Sequence, residues 1–218
     1  MLVTDRRRAP DPSVPALIAR VSAAARSGVD LIQIRERDLG DRELAAVAGD
    51  AVAAVAGTAA RVLVNDRLDV ALRAGAHGVH LRADSLPVVR ARRLAPPSFL
   101  IGRSVHSPDE AEGVARAGGC DYLLVGTIFA SAGKPAGHPV GGTALLAAVA
   151  ARTTVPILAI GGVHPGNARL VRAAGAAGAA AVGPFMTAPD AAALEACVRA
   201  FRAALTPPPG LSTVTAGT

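Results

Sequence analysis

"FLIGRSVHSPDEAEGVARAGGCDYLLVG", residues 99–126, holds one complete strand–helix–strand unit. The runs "FLIG" (99–102) and "YLLVG" (122–126) are apolar at successive positions, so both faces of each predicted strand are covered. Between them Ser107 reads as an N-cap, Pro108 as the first helical residue and Glu110 as the capping-box acid. These signals predict a helix over 108–118. Two covered strands joined by a helix are the unit of a parallel sheet.

The same unit recurs along the chain. Further strands are predicted at "LVT" (2–4), "LIQI" (31–34), "RVLVN" (61–65), "GVHL" (78–81), "ILAIGG" (157–162) and "AAAVG" (179–183). Helical periodicity falls near 13–27, 41–56, 67–74, 86–94, 142–152, 165–174 and 189–204. "AGAHG" (74–78) and "AAGAAG" (173–178) put glycine where a helix end wants a left-handed residue. Eight such units predict an α/β fold, a (β/α)8 TIM barrel in a single domain over 1–205. A doubly wound open sheet is the other arrangement of the same units. No linker divides the chain before "TPPPGLSTVTAGT" (206–218), which reads as a disordered C-terminal tail.

Apolar residues make up 51% of the chain and aromatic ones only 2%, so the core is built from Ala, Val, Leu and Ile. The net charge is +6, carried mostly by scattered arginines whose only run is "DRRR" (5–8). Without interleaved aromatic platforms this pattern argues against nucleic-acid binding. It suits attraction of small phosphorylated ligands. Cys120 and Cys197 form no CxxC pair, so neither a disulfide framework nor a zinc site is indicated. No signal peptide and no membrane span are read, and a cytoplasmic location is expected.

Barrel chemistry sits where strands end and the following loops begin. Strand two ends in Gln33, Arg35, Glu36 and Arg37, and strand three in Asn65, Asp66 and Arg67. Strand four carries His80, and strand five leads to Ser104 and His106. Strand six leads to Thr127, Ser131 and Lys134, strand seven to Gly161 and Gly162, and strand eight to Gly183. Each has a plain structural reading as well. The charges after strand two suit a solvated turn, Asn65 and Asp66 suit a helix cap, and His80 suits a satisfied core histidine. His138 and His164 read as surface residues. The glycines, however, stand where barrels of this type cradle a phosphate on bare N–H groups.

In order, "QIRER", "VNDRLDVAL", "GVHL", "GRSVHS", "DYLLVGTIF" with Lys134, and "PILAIGGV" with Asn167 resemble the thiamine phosphate synthase/TenI family. That family has two branches. The synthase joins a pyrimidine pyrophosphate to a thiazole phosphate with Mg2+. The TenI branch is a thiazole tautomerase, which moves a proton to aromatise a thiazole carboxylate phosphate. The resemblance implies that Gln33, Arg35, Arg37, Asn65, Ser104 and Lys134 hold a pyrophosphate in a synthase, with Asp66 as a metal ligand. It implies that Gly161, Gly162 and Gly183 hold the thiazole phosphate.

The departures bear on the branch. After strand four the synthase has Gly-Gln-x-Asp; here those positions are Arg82, Ala83, Asp84 and Ser85, so the second carboxylate is replaced by a hydroxyl. The synthase run Thr-x-Thr-Lys is "SAGK" (131–134), with Ser131 and Gly133 in place of the threonines. "IRER" and "GRSVHS" resemble the tautomerase branch more, where the histidine matching His106 is the catalytic acid/base. Imidazole, titrating at about 6.5, suits proton transfer at carbon. The expected function is therefore a tautomerase with catalytic His106 and Ser104 and no cofactor. The alternatives are a synthase, with Mg2+ on Asp66, and a phosphate-binding regulator without turnover. In the plain reading His106 only caps the helix after strand five. The expected ligand is a phosphorylated thiazole, joined in a synthase by a pyrimidine pyrophosphate; self-association into a homo-oligomer is left open.

Overall fold

The computed structural model describes residues 1–131, 134, 135 and 137–206. The tail after 206 and Gly133 lie outside the described residues. Eight parallel strands run in chain order: β1 Leu2–Val3, β2 Leu31–Ile34, β3 Arg61–Asn65, β4 Gly78–Leu81, β5 Leu100–Val105, β6 Tyr122–Val125, β7 Ile157–Ile160 and β8 Gly178–Ala180. The sheet closes on itself. Leu2 bridges Ala181, Val3 N donates to Ala181 O at 3.0 Å and Ala181 N to Met1 O at 3.2 Å. The (β/α)8 barrel is thus the fold, and the open-sheet arrangement falls because no edge is left unpaired between β1 and β8.

The outer helices are α1 Val14–Arg26, α2 Asp41–Ala54, α3 Leu68–Arg73, α4 Val88–Leu94, α5 Pro108–Ala117, α6 Gly142–Ala150, α7 Ala168–Ala173, α8 Gly183–Met186 and α9 Ala191–Leu205. Helix α5 starts as its sequence demands, with Ser107 Oγ accepting from Glu110 N at 3.2 Å. Helix α9 starts on Asp190, which accepts from Ala193 N at 2.8 Å. It buries Leu194, Val198 and Phe201, spaced four and three apart on one face. Phe201 stacks on Phe185 of α8 with centroids 5.2 Å apart. Each such buried side chain contributes about 1.5–3 kcal/mol, and this pair anchors the short α8 beside the barrel mouth. Among the described residues no helix is long and apolar enough to cross a membrane.

Two separate apolar clusters follow from the two faces of the sheet. The larger lies between sheet and helices; the smaller fills the barrel interior with Val3, Leu63, Tyr122, Leu124 and Ala180. Tyr122 occupies so much of that interior that its partner must be glycine. A Cβ on Gly102 would lie 2.0 Å from Tyr122 Cζ.

Three elements differ from the sequence reading. Strand β5 continues past Gly102 to Val105, so Ser104 sits in the strand and not in the loop after it; it pairs with Leu124 across the ladder. Strand β8 begins at Gly178 and ends at Ala180, while Gly183 opens helix α8. The basic run after β1 forms a 3-10 turn, Arg6–Arg8.

Candidate active site

The strands alternate inward and outward residues, and their last inward positions form the floor of a cavity of about 800 Å³ at the C-terminal mouth. Across β2 to β5 that floor is polar: Gln33, Asn65, His80 and Ser104. Across β6 to β8 it is apolar: Leu124, Ile160 and Ala180. The barrel thus offers a ligand one hydrogen-bonding half and one greasy half.

The polar half is internally tied. Gln33 Nε2 donates to Asn65 Oδ1 at 2.8 Å. Gln33 is 2% exposed, and its Oε1 is buried with no partner among the described residues. His80, also 2% exposed, meets Tyr122 Oη at 3.0 Å through Nδ1 and Ser104 Oγ at 2.9 Å through Nε2. Burial pushes the His80 imidazole pKa down to about 4, so the ring is neutral near pH 7. The reading of His80 as a satisfied histidine holds, and both ring nitrogens are engaged.

The rim is cationic. Arg35 is half-buried, and its pKa is lowered by that burial and then by the neighbouring Arg37. Its backbone N donates to Thr4 Oγ1 at 2.9 Å. Arg37 and Lys134 are exposed at the same mouth. Glu36, the buried member of that run, accepts from Arg6 N at 3.1 and 3.2 Å and from Arg6 Nη1 at 3.3 Å. This clamp ties the β1 loop to the β2 loop and carries Arg7 and Arg8 to the cavity. Arg7 pairs with Asp5 at 3.2 Å. Arg8 has no ion pair among the described residues, and its guanidinium stands 3.2 Å from where a Cβ on Gly183 would be.

The glycines after β7 have a structural necessity of their own. Gly161 and Gly162 have φ of +96° and +63°. A Cβ on Gly162 would lie 2.3 Å from Ala130 O, and one on Gly161 would lie 2.6 Å from Thr127 Cγ2. Both therefore let the β6 loop close against the β7 loop. Asn167 pins the turn, donating to Gly162 O at 2.9 Å and accepting from His164 N at 2.9 Å.

His106 lies just beyond β5, exposed and facing the cavity. Its Nδ1 sits 2.6 Å from Gly126 O, a group that only accepts, so Nδ1 carries the hydrogen. In the neutral ring Nε2 then keeps its lone pair, with no hydrogen-bond partner among the described residues. Its backbone N donates to Glu110 Oε2 at 2.7 Å. The helix cap is Ser107; His106 is not the capping side chain. His138 lies in its exposed loop, with Nε2 3.2 Å from Thr127 Oγ1. His164 is exposed but also lines the mouth.

Asp66 is set apart from these. It holds a left-handed φ of +66° and does not line the cavity. Arg82 lies over it, with Nη1 3.6 Å from Asp66 Oδ2, and grips Asp84 through Nε at 3.0 Å and through Nη2. The Ser85 Oγ is buried and has no partner among the described residues, and Ser85 stands off the cavity lining. The family's Mg2+ would take one or two carboxylates plus phosphate oxygens. These residues do not fit it: both carboxylates already face a guanidinium, and the second ligand position is a neutral hydroxyl. Among the described residues no three His, Cys, Asp or Glu side chains cluster.

The mouth thus gathers every implied residue except Asp66. What the sequence reading passed over are Arg8, Tyr122 and the linking role of His80. "DRRR" directly after the first strand was the available signal for Arg8; nothing local signals Tyr122.

A closed eight-stranded barrel with a polar floor and a cationic rim defines the class of (β/α)8 enzymes that work at the C-terminal mouth. The chain belongs to the thiamine monophosphate synthase family, whose model matches residues 1–185. It is 41% identical over 192 residues to a thiamine-phosphate synthase of Methanospirillum hungatei, covering 88% of this chain and 91% of the relative. It is 44% identical over 184 residues to that of Methanoculleus marisnigri, covering 84% and 85%. The thiamine phosphate pyrophosphorylase structure from Pyrococcus furiosus superposes with a TM-score of 0.80 at 30% identity, covering 94% of this chain and 93% of that one. A 3-hexulose-6-phosphate synthase shares the fold alone, with a TM-score of 0.71 at 21% identity. The Methanospirillum and Methanoculleus relatives bear the name thiamine-phosphate synthase, which favours the alternative over the tautomerase expected from "IRER" and "GRSVHS".

Proposed function

We propose that the protein is a thiamine-phosphate synthase, joining a pyrimidine pyrophosphate to a thiazole phosphate. The observation that carries this reading is the match at 41–44% identity to synthases over more than four fifths of the chain. The reaction breaks the carbon–oxygen bond between the pyrimidine methylene and pyrophosphate. It forms a carbon–nitrogen bond to the thiazole nitrogen, whose lone pair supplies the electrons. The departing pyrophosphate carries several negative charges, and Arg35, Arg37 and Lys134 offset them at the rim. Asn65 and Ser104 supply neutral donors from the floor. The resemblance gives Gln33 a pyrophosphate role, but its Nε2 is taken by Asn65 Oδ1 and its Oε1 is buried, so it suits holding Asn65 in place. Arg8, with the backbone at Gly161, Gly162 and Gly183, suits the thiazole phosphate. Leu124, Ile160 and Ala180 suit the flat faces of the rings.

The test is incubation of purified protein with both substrates, with Mg2+ and with EDTA, following thiamine phosphate and pyrophosphate. Formation of both supports the synthase. No coupling, together with aromatisation of thiazole carboxylate phosphate, would replace it by the tautomerase. One observation favours that second reading: His106 lines the cavity with its Nδ1 held by Gly126 O and its Nε2 without a hydrogen-bond partner among the described residues. Ligand binding with neither reaction would leave the regulator.

A further inference from the structure

We infer that Tyr122 and His80 are positioning residues that fix Ser104 as a hydrogen-bond donor toward an anionic oxygen of the substrate. The inference rests on the reading that a pyrophosphate group occupies the polar half of the mouth. Its basis is a count of hydrogens along one buried chain, Tyr122 Oη to His80 Nδ1 at 3.0 Å and His80 Nε2 to Ser104 Oγ at 2.9 Å.

A neutral imidazole has one N–H, so the chain has two arrangements. In one, Ser104 donates to Nε2, and Nδ1–H donates to the Tyr122 oxygen. The phenol hydrogen then needs another acceptor. Tyr122 is 5% exposed, and among the described residues His80 is its oxygen's only hydrogen-bond partner. Beside the ring stands the Gly102 backbone, so close that a Cβ there would lie 2.4 Å from Tyr122 Oη. That arrangement leaves a buried donor unpaired, which proteins avoid. In the other arrangement Tyr122 donates to Nδ1, and Nε2–H donates to Ser104. Every buried hydrogen is then paired.

The consequence reaches the cavity. Ser104 Oγ already accepts from His80, so its own hydrogen turns elsewhere. Ser104 lines the same mouth as Arg35 and Lys134, whose charge draws an anion in. A solvent-exposed serine would rotate freely between donating and accepting. This one meets the ligand as a donor, with its direction set before the ligand arrives, which is what stabilising a departing anion requires. Tyr122 touches no ligand and acts only through His80 and Ser104.

Two measurements test this, with inorganic pyrophosphate as the probe. Long-range proton–nitrogen correlation spectra of 15N-labelled protein, with His80 assigned through His80→Gln, should show the Nε2–H tautomer. The Nδ1–H tautomer would overturn the inference. In calorimetric titration, Ser104→Ala should weaken pyrophosphate binding by about ten- to hundredfold, the usual effect of one hydrogen bond to a charged group. Tyr122→Phe, which keeps the ring, should weaken it several-fold, and Ser104→Thr should restore most of the affinity. In the Ser104→Ala background Tyr122→Phe should have no further effect, because its influence passes through the hydroxyl. Additive losses, a Ser104→Ala variant within threefold of wild type, or wild-type protein that does not bind pyrophosphate would each overturn the inference. If these results hold while no thiamine phosphate forms in the coupling assay, the proposed reaction falls and the donor role of Ser104 stands.

Discussion

Arg82 Nη1 lies 3.6 Å from Asp66 Oδ2 while the same guanidinium grips both oxygens of Asp84. A side-chain cation thus faces both Asp66, the metal ligand that the resemblance implies, and Asp84, which precedes the second ligand position in the chain. Exposed pairs of this kind are worth little to stability, about 0–1 kcal/mol, so their effect is on which cation is accepted. Pyrophosphate binding to the wild type should change less than threefold on adding EDTA. Combining Arg82→Gly with Ser85→Asp should create Mg2+-dependent pyrophosphate binding, read by calorimetry with and without the ion. Asp84→Ala alone should change little. Strict Mg2+ dependence in the wild type, abolished by Asp84→Ala, would show that Asp84 turns to the metal and displaces Arg82.

His106→Ala separates the two reactions. Removing a general acid–base typically costs about 10²–10⁴-fold. As His106 holds no pyrophosphate oxygen in the proposed synthase, coupling by the variant should stay within about threefold of wild type by that measure. A hundredfold loss of coupling would give His106 a part in the synthase chemistry.

Arg8→Ala should raise the KM for thiazole phosphate by about ten- to hundredfold, the range for a lost hydrogen bond to a charge. Its guanidinium stands over Gly183 and carries no ion pair among the described residues, so the urea midpoint should not move. An unchanged KM would place the phosphate away from Gly183.

Gly162→Val tests how closely the phosphate approaches the backbone at the end of β7. The structure adds a folding effect, since the new Cβ would meet Ala130 O at 2.3 Å with φ at +63°. Strain of this kind costs of order 1–3 kcal/mol. Urea denaturation should show that loss together with a raised KM. A variant as stable as wild type would mean that the β6 loop moves aside.

The pH dependence of stability should carry a signature of His80. Its pKa is about 4 in the fold against an ordinary 6.5, because burial disfavours the charged ring. Above pH 6.5 neither state binds the proton, and the ring contributes nothing to the slope. Between 6.5 and about 4 the unfolded chain takes up a proton that the fold refuses, so stability falls as pH falls, by about 1.4 kcal/mol per unit. His80→Gln should remove that increment from the slope of unfolding free energy against pH. Identical slopes for the two proteins would refute the buried neutral ring.

The eight units were legible along the chain because their signals act over a few residues. Ser107, Pro108 and Glu110 start α5 by themselves, and runs apolar at every position declare strands covered on both faces. The cationic rim was legible for the same reason, since a residue just past a strand of a barrel faces its mouth. What remained hidden depends on contacts between distant positions. Ser104 belongs to β5 because β6 offers it Leu124 as a partner. Its donor character depends on Tyr122 and His80, 42 residues apart and joined only inside the closed barrel. Arg8 reaches Gly183 because buried Glu36 clamps the β1 loop. Local propensity chose the strands and helices; burial, which leaves each enclosed hydrogen with a single acceptor, decided the direction in which the site presents its groups.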